Sequence, residues 1–223
     1  MEPRYERNIP ALTEAECLAL RNKRVLVVGC GGLGGHIIDM LARIGTGALR
    51  VVDGDVFEKT NLNRQLLSQV PLLGVSKAKA AAEHVARVNP DVRVDAVEGF
   101  LTEENADALV AGCDAVVDAL DNIPSRKILA ASCEKANIPY IYGGIQGWVA
   151  QAAISMPGDG LLDKLFPEGT VIRDKSVLSF TPPLCASMQV SLCVKLLTGR
   201  AVETGTLYYF DLLNQEFEII PMV

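Results

Sequence analysis

The feature that most constrains this chain is an ordered run between Arg24 and Asp53. RVLVV at 24–28 is a continuous apolar stretch, the pattern of a strand buried on both faces of a parallel sheet. It leads directly into Gly29-Cys30-Gly31-Gly32-Leu33-Gly34, a G-x-G-x-x-G sequence. Residues 36–44 then place Ile37, Ile38, Leu41 and Ile44 on one helical face, and 49–52 form a second strand ending at Asp53. A strand, a glycine turn, a helix and a second strand make a βαβ unit. Parallel neighbours need crossovers, so the remainder is expected to be an α/β sheet.

The rest of the chain continues that rhythm. Thr13 followed by Glu16 predicts a capped helix over 14–22. An Ala-rich helix is expected over 76–88, stopped by Asn89-Pro90. Val92, Val94 and Ala96 alternate as a strand. Helices are expected over 103–111 and 124–136, with strands at 115–119 and 139–142. After Gly143-Gly144 the order changes. A strand at 148–155 follows without a helix, and 156–180 is a patternless segment of the length usually reserved for functional loops. Thr181-Pro182-Pro183 opens a helix through Leu197, because proline is tolerated in a first helical turn. Residues 207–210 and 216–220 then read as an antiparallel hairpin. The expected fold is α/β, a doubly wound, Rossmann-like, mostly parallel sheet with an antiparallel C-terminal extension. All of 1–223 is read as one domain: an N-terminal helical arm (1–23), a nucleotide-binding core (24–147), a crossover segment (156–180) and a C-terminal helix and hairpin (181–223).

Composition narrows the function. With 49% apolar residues the chain can build a core, and its net charge of −6 carries no basic footprint for nucleic acid. MEPRYERNIP has no apolar leader character, and the apolar stretches are broken by residues such as Gly112, Asp114 and Asp118. A soluble, cytoplasmic protein without membrane partners is expected. The six cysteines form no CxxC pair and only two histidines accompany them, so no structural zinc is expected.

The glycine run is expected to bind a nucleotide. Gly29, Gly31, Gly32 and Gly34 allow a tight turn and close backbone approach, and the helix start beyond them offers free N–H groups to phosphate. Asp53, at the end of the next strand, is placed to accept hydrogen bonds from ribose hydroxyls. The same fingerprint serves nicotinamide and flavin dinucleotides, which keeps an NAD(P)-dependent oxidoreductase as a competing reading.

The residues that follow favour phosphate chemistry. Asp55 opens a polar run in which Asn61 can donate an amide hydrogen bond and Arg64 offers a planar cationic fork. Gln65 adjoins it, and Lys77, at the start of the next helix, is read as a mobile point charge. Asp121 follows a buried strand, at the carboxyl ends of the strands where open α/β sheets hold ligands, and is suited to Mg²⁺. Taken singly each has a duller reading: Lys77 as a solvated surface lysine, Arg64 as a surface ion-pair partner, Asp121 as a helix cap. Their joint order carries the inference.

VLVVGCGGLGG, VVDGDVFEKTNLNRQ, GVSKAKAA and VVDALDN, in that order, resemble the adenylation domain of the MoeB/ThiF/HesA family, bacterial relatives of the ubiquitin-activating enzymes. The likeness includes Arg4-Tyr5-Glu6-Arg7 and the late helix and hairpin, and so spans nearly the whole chain. It implies an adenylyltransferase that uses ATP and Mg²⁺ to activate the C-terminal Gly-Gly carboxylate of a small ubiquitin-like sulfur-carrier protein in a molybdopterin, thiamine or related pathway. A different peptide or carboxylate substrate remains the alternative. By the same resemblance Asp53 holds the ribose, Asn61, Arg64 and Lys77 contact phosphates, Asp121 is the Mg²⁺-linked aspartate, and Arg7 reaches the ATP site of a neighbouring subunit in a homodimer. Asn8 stands where the family has Gln. Many relatives carry two CxxC pairs and a cysteine in the crossover segment; this chain has neither. Adenylation without covalent transfer through its own thiol, with a separate sulfur donor, is therefore expected.

Overall fold

The computed structural model describes residues 2–171, 174 and 176–222. Strand β1 (Arg24–Val28) pairs in parallel with β2 (Ala48–Val52) on one side and β4 (Ala115–Asp118) on the other. Beyond β2 lies the edge strand β3 (Arg93–Val97), and beyond β4 lies β5 (Tyr140–Gln146), both parallel to their neighbours. The remaining strands, β6 (Val149–Ser155), β7 (Thr206–Asp211) and β8 (Glu216–Pro221), add in antiparallel order. The result is one eight-stranded sheet, β3-β2-β1-β4-β5-β6-β7-β8, parallel over its first five strands. Gly147, at φ +54°, makes the tight return from β5 to β6 possible.

Helices cover both faces, which explains the unbroken apolar run of β1. Val25 and Val27 pack with α2 (Gly32–Ile44), α3 (Lys77–Val88) and α7 (Thr181–Leu197). Leu26 and Val28 face the opposite way, toward α4 (Glu103–Val110), α5 (Ile123–Ala136) and α6 (Leu161–Leu165). Each of these side chains is essentially fully buried, a contribution of about 1.5–3 kcal/mol apiece relative to exposure. The expected doubly wound sheet with an antiparallel extension is the observed fold.

Several boundaries differ from the sequence reading, each for a physical reason. Helix α2 begins at Gly32 rather than residue 36, so half of the glycine run forms its first turn. Glycine's poor helix propensity hides that start. The crossover segment is not devoid of structure: Leu161 and Leu162 are buried and close the short helix α6 against α5. Residues 172, 173 and 175 of that segment lie outside the described residues. On β3 the expected alternation breaks down, with Ala96 exposed and Val94 and Val97 half-buried, as befits an edge strand. Helix α1 (Glu14–Leu20) carries the expected capping box, Glu16 N donating to Thr13 Oγ1 at 3.2 Å and Thr13 N to Glu16 Oε2 at 2.7 Å.

The N-terminal arm is anchored far from the glycine turn. Tyr5, in the 3₁₀ helix Pro3–Asn8, is buried against Gly45 just beyond the C-terminus of α2. Its hydroxyl accepts from Asn89 Nδ2 at 2.8 Å, and the same amide donates to the Ala42 carbonyl at 2.7 Å. No helix among the described residues is long and apolar enough to cross a membrane.

Candidate functional site

Strand order reverses at β1, which has β2 on one side and β4 on the other, and ligands of open α/β sheets sit beyond the carboxyl ends of strands at such a switch point. A cleft of about 220 Å³ opens there. Gly29 and Gly31 come to it from β1, Asp53 and Asp55 from β2, and Asp121 and Asn122 from the loop after β4. Arg64 and Gln65 form one wall with Lys77, and Phe100 lies at the rim.

The glycines divide into two jobs. Gly29 adopts φ +100°, and a Cβ there would meet the Ala119 carbonyl oxygen at 2.5 Å. The turn thus lies directly on the loop that leads to Asp121. A Cβ on Gly34 would run into the Gly29 carbonyl, so this glycine permits the close approach of α2 to β1. Gly32 faces Arg64 and Pro182, inside the first turn of α2. No side chain caps that turn, and the first helical N–H to find a partner is that of Gly35, on the Gly31 carbonyl at 3.1 Å. Gly32 and Gly34 are not among the residues lining the cleft.

Asp53 is already employed by the backbone. Its Oδ2 accepts from Cys30 N at 2.7 Å and its Oδ1 from Asp55 N at 2.8 Å, so the carboxylate orders the glycine turn. Burial pushes its pKa up, against the pull of these N–H groups and of Lys77. Lys77 is 6% exposed, and its Nζ lies 3.0 Å from Asp55 Oδ2. The mobile point charge expected from the sequence is therefore a held one, because α3 starts within the cleft wall. Arg64 donates to the Thr60 carbonyl at 2.9 Å and to Asn63 Oδ1 at 2.8 Å. Gln65 is buried, and its Oε1 has no hydrogen-bond partner among the described residues. Such an orphaned acceptor costs free energy unless something arrives to satisfy it.

Two more expected residues stand apart from the cleft. Asn61 is 8% exposed and spends its Oδ1 on the Glu58 N–H at 3.0 Å, shaping the 3₁₀ turn behind the wall. Arg7 lies on the anchored arm, at the other end of α2, a 13-residue helix about 20 Å long. Asp121 is exposed at the cleft, and the adjacent Asn122, not Asp121, caps α5 by accepting from Ser125 N at 2.9 Å.

Other residues at the site were not singled out by the sequence reading. Phe100 is 64% exposed, with its ring 2.7 Å from where a Gly54 Cβ would sit. Arg126 and Tyr142 line a second hollow of about 300 Å³ that shares Arg64, Ala119, Leu120 and Asp121 with the cleft. An arginine four residues into a helix resembles any solvated cation, and no periodicity distinguishes it. A larger hollow of about 440 Å³, lined by Lys127, Glu134, Tyr140 and Met156, contains none of the expected residues.

A family model described as the ThiF family matches residues 5–222. The chain belongs to the ThiF family. This ThiF-family chain is 40% identical over 210 residues to the SAMP-activating enzyme E1 of Haloferax volcanii, covering 91% of this chain and 77% of that protein. It is 30% identical to the molybdopterin-synthase adenylyltransferase of Escherichia coli, covering 92% and 85%. Against the probable adenylyltransferase/sulfurtransferase MoeZ of Mycobacterium tuberculosis the identity is 34%, with 98% of this chain but 59% of that protein covered. Among solved structures, E. coli MccB crystallised with ATP superposes with a TM-score of 0.85 at 20% identity, over 100% of this chain and 71% of that one. That superposition establishes a shared fold.

Proposed function

We propose that this ThiF-family chain adenylates the C-terminal Gly-Gly carboxylate of a small ubiquitin-like sulfur-carrier protein, consuming ATP and releasing pyrophosphate. It is an adenylyltransferase. The observation that carries the reading is the convergence, in one cleft, of Gly29 and Gly31 before the uncapped start of α2, the Asp53 carboxylate, the cations Arg64 and Lys77, and Asp121.

The chemistry suits these groups. The carrier carboxylate is ionised at neutral pH, so its attack on the α-phosphorus needs no general base. An oxygen–phosphorus bond forms to the carboxylate, the bond to the bridging oxygen breaks, and pyrophosphate departs with the electron pair. The obstacles are anion–anion repulsion and charge gathering on phosphate oxygens, which positioning and fixed cations relieve. Arg64 and Lys77 supply that charge, and the orphaned Gln65 acceptor and the α2 N–H groups fit a nucleotide laid across the turn. Asp121 would hold Mg²⁺, which when bound neutralises phosphate charge. Asn61 supports the wall from behind. The second hollow, which shares Asp121 and Arg64 with the cleft, suits the carrier tail.

The thiols do not suit a covalent relay. Cys185 is fully buried and pushed up to about 12 by burial, and Cys193 likewise. A reactive thiol needs the opposite setting. Sulfur then comes from a separate donor that attacks the adenylate.

ATP–pyrophosphate exchange that rises on adding a Gly-Gly-ended carrier is the test. Asp121→Asn should lower it by about 10²–10³-fold with the fold intact, as loss of one charge-stabilising group does elsewhere. Exchange indifferent to the carrier would shift the substrate to another peptide or carboxylate. Absence of exchange together with a change in nicotinamide absorbance would move the chain to the oxidoreductases.

A further inference from the structure

We infer that Arg126 is a positioning residue whose buried guanidinium braces the turn that presents Asp121. The kinetic side of this inference rests on the adenylation reading above; the structural side does not.

Arg126 lies in the first half of α5, 5% exposed. One nitrogen, Nη1, donates to Asp118 Oδ2 at 2.5 Å and to the Gly143 carbonyl at 2.8 Å. The other, Nη2, donates to the Leu120 carbonyl. A single planar fork therefore ties the end of β4, the loop after it and the middle of β5. The far side of the fork is closed by Tyr142, whose ring centre is 4.9 Å from the guanidinium carbon, and by Phe166 at 6.0 Å. Asp118 is satisfied from further directions, by Tyr140 Oη at 2.5 Å and by Leu120 N, which donates to its Oδ1 at 2.8 Å.

Stability alone does not explain this arrangement. Buried ion pairs contribute little beyond what apolar side chains of equal volume supply, since desolvation offsets attraction. Here the fork also leaves its Nε–H without a partner among the described residues, an added cost. What the geometry does provide is a fixed backbone. Asp121 is exposed, and among the described residues its carboxylate makes one long contact, accepting from Asn122 Nδ2 at 3.3 Å. Its location is inherited from the preceding residue, and Leu120 is gripped at both its N–H, through Asp118, and its carbonyl, through Arg126. Lysine in place of Arg126 would keep the charge but lose the planar fork that reaches three acceptors at once.

The experiment uses the full chain with Arg126→Lys, and Asp118→Asn as the second variant should the first not fold. Three quantities are read: the Mg²⁺ concentration that half-saturates binding of a fluorescent ATP analogue, amide hydrogen exchange over 118–122, and Tm. Arg126→Lys is expected to raise the Mg²⁺ midpoint about tenfold, the usual scale for disturbing a residue behind a metal ligand, while Mg²⁺-free nucleotide binding stays as in the wild type. Exchange over 118–122 should accelerate more than over β1 or β2, and pyrophosphate exchange should lose kcat with little change in KM for ATP. A variant that melts earlier but keeps the wild-type Mg²⁺ midpoint and the wild-type protection of 118–122 overturns the inference. If the wild type itself binds no nucleotide with Mg²⁺, the adenylation reading fails, and the bracing role then stands or falls on amide exchange alone.

Discussion

Asp53 shows how one side chain can order a turn and, on the adenylation reading, still face a ribose. Its Oδ2 accepts from Cys30 N in the glycine turn and its Oδ1 from Asp55 N just beyond β2, which leaves a lone pair on each oxygen for a further donor. Because burial raises its pKa, it takes up a proton at a pH above the ordinary aspartate range. The native state then holds a proton that the unfolded chain has released, so this group's contribution to stability declines as pH rises through that window. Nucleotide binding runs the other way, since a protonated carboxyl offers the ribose less. Acidification through that window should raise KM for ATP while this group's contribution to Tm grows, and Asp53→Asn should flatten both pH dependences; a KM that stays level on acidification would count against the ribose role. Asp53 was legible in the sequence because it ends an apolar strand after a glycine turn. Arg126 and Phe100 were not, because one resembles a solvated helix cation and the other sits in a loop, and only their spatial neighbours give them meaning.

Among the elements, α7 was read to the residue, since Thr181-Pro182-Pro183 fixes its start and an apolar run carries it to Leu197. Helix α6 escaped notice because five residues cannot display a helical period. The start of α2 was hidden within glycines that serve the turn and the helix together. Helix α7 also decides the fate of two thiols. It lies across β5 and β6 with Cys185 and Cys193 on its buried side, and Cys185 Sγ donates to the Gln151 carbonyl at 3.1 Å. Cys185→Ala should therefore leave carrier-dependent pyrophosphate exchange within about twofold of the wild type while lowering Tm, as small buried truncations do. Loss of exchange with the melting transition preserved would place this thiol in the reaction.

On the scale of the whole molecule, the doubly wound sheet with its antiparallel extension followed from the sequence, because alternating apolar strands and amphipathic helices admit few arrangements. The N-terminal arm did not, since its anchoring through Tyr5, Gly45 and Asn89 joins residues that are far apart in the chain. That anchoring sets Arg7 at the end of α2 remote from its own cleft. If Arg7 acts, it acts on a second copy of the chain, in keeping with the proposed homodimer. Arg7→Ala and Asp121→Asn, each defective alone, should recover exchange when unfolded and refolded together, to about a quarter of the wild-type level, because random pairing of a twofold dimer leaves one site in four intact. No recovery from mixed dimers, verified by native mass spectrometry, would remove Arg7 from the mechanism.

The Lys77–Asp55 pair has a consequence for what enters the cleft. The lysine is not idle before a ligand comes; a carboxylate 3.0 Å away already balances it. An arriving anion has to outcompete that resident, and only a densely charged one, such as a polyphosphate, gains enough by the exchange. A weakly charged anion gains less by that exchange, so on the adenylation reading the resident carboxylate favours a triphosphate over it.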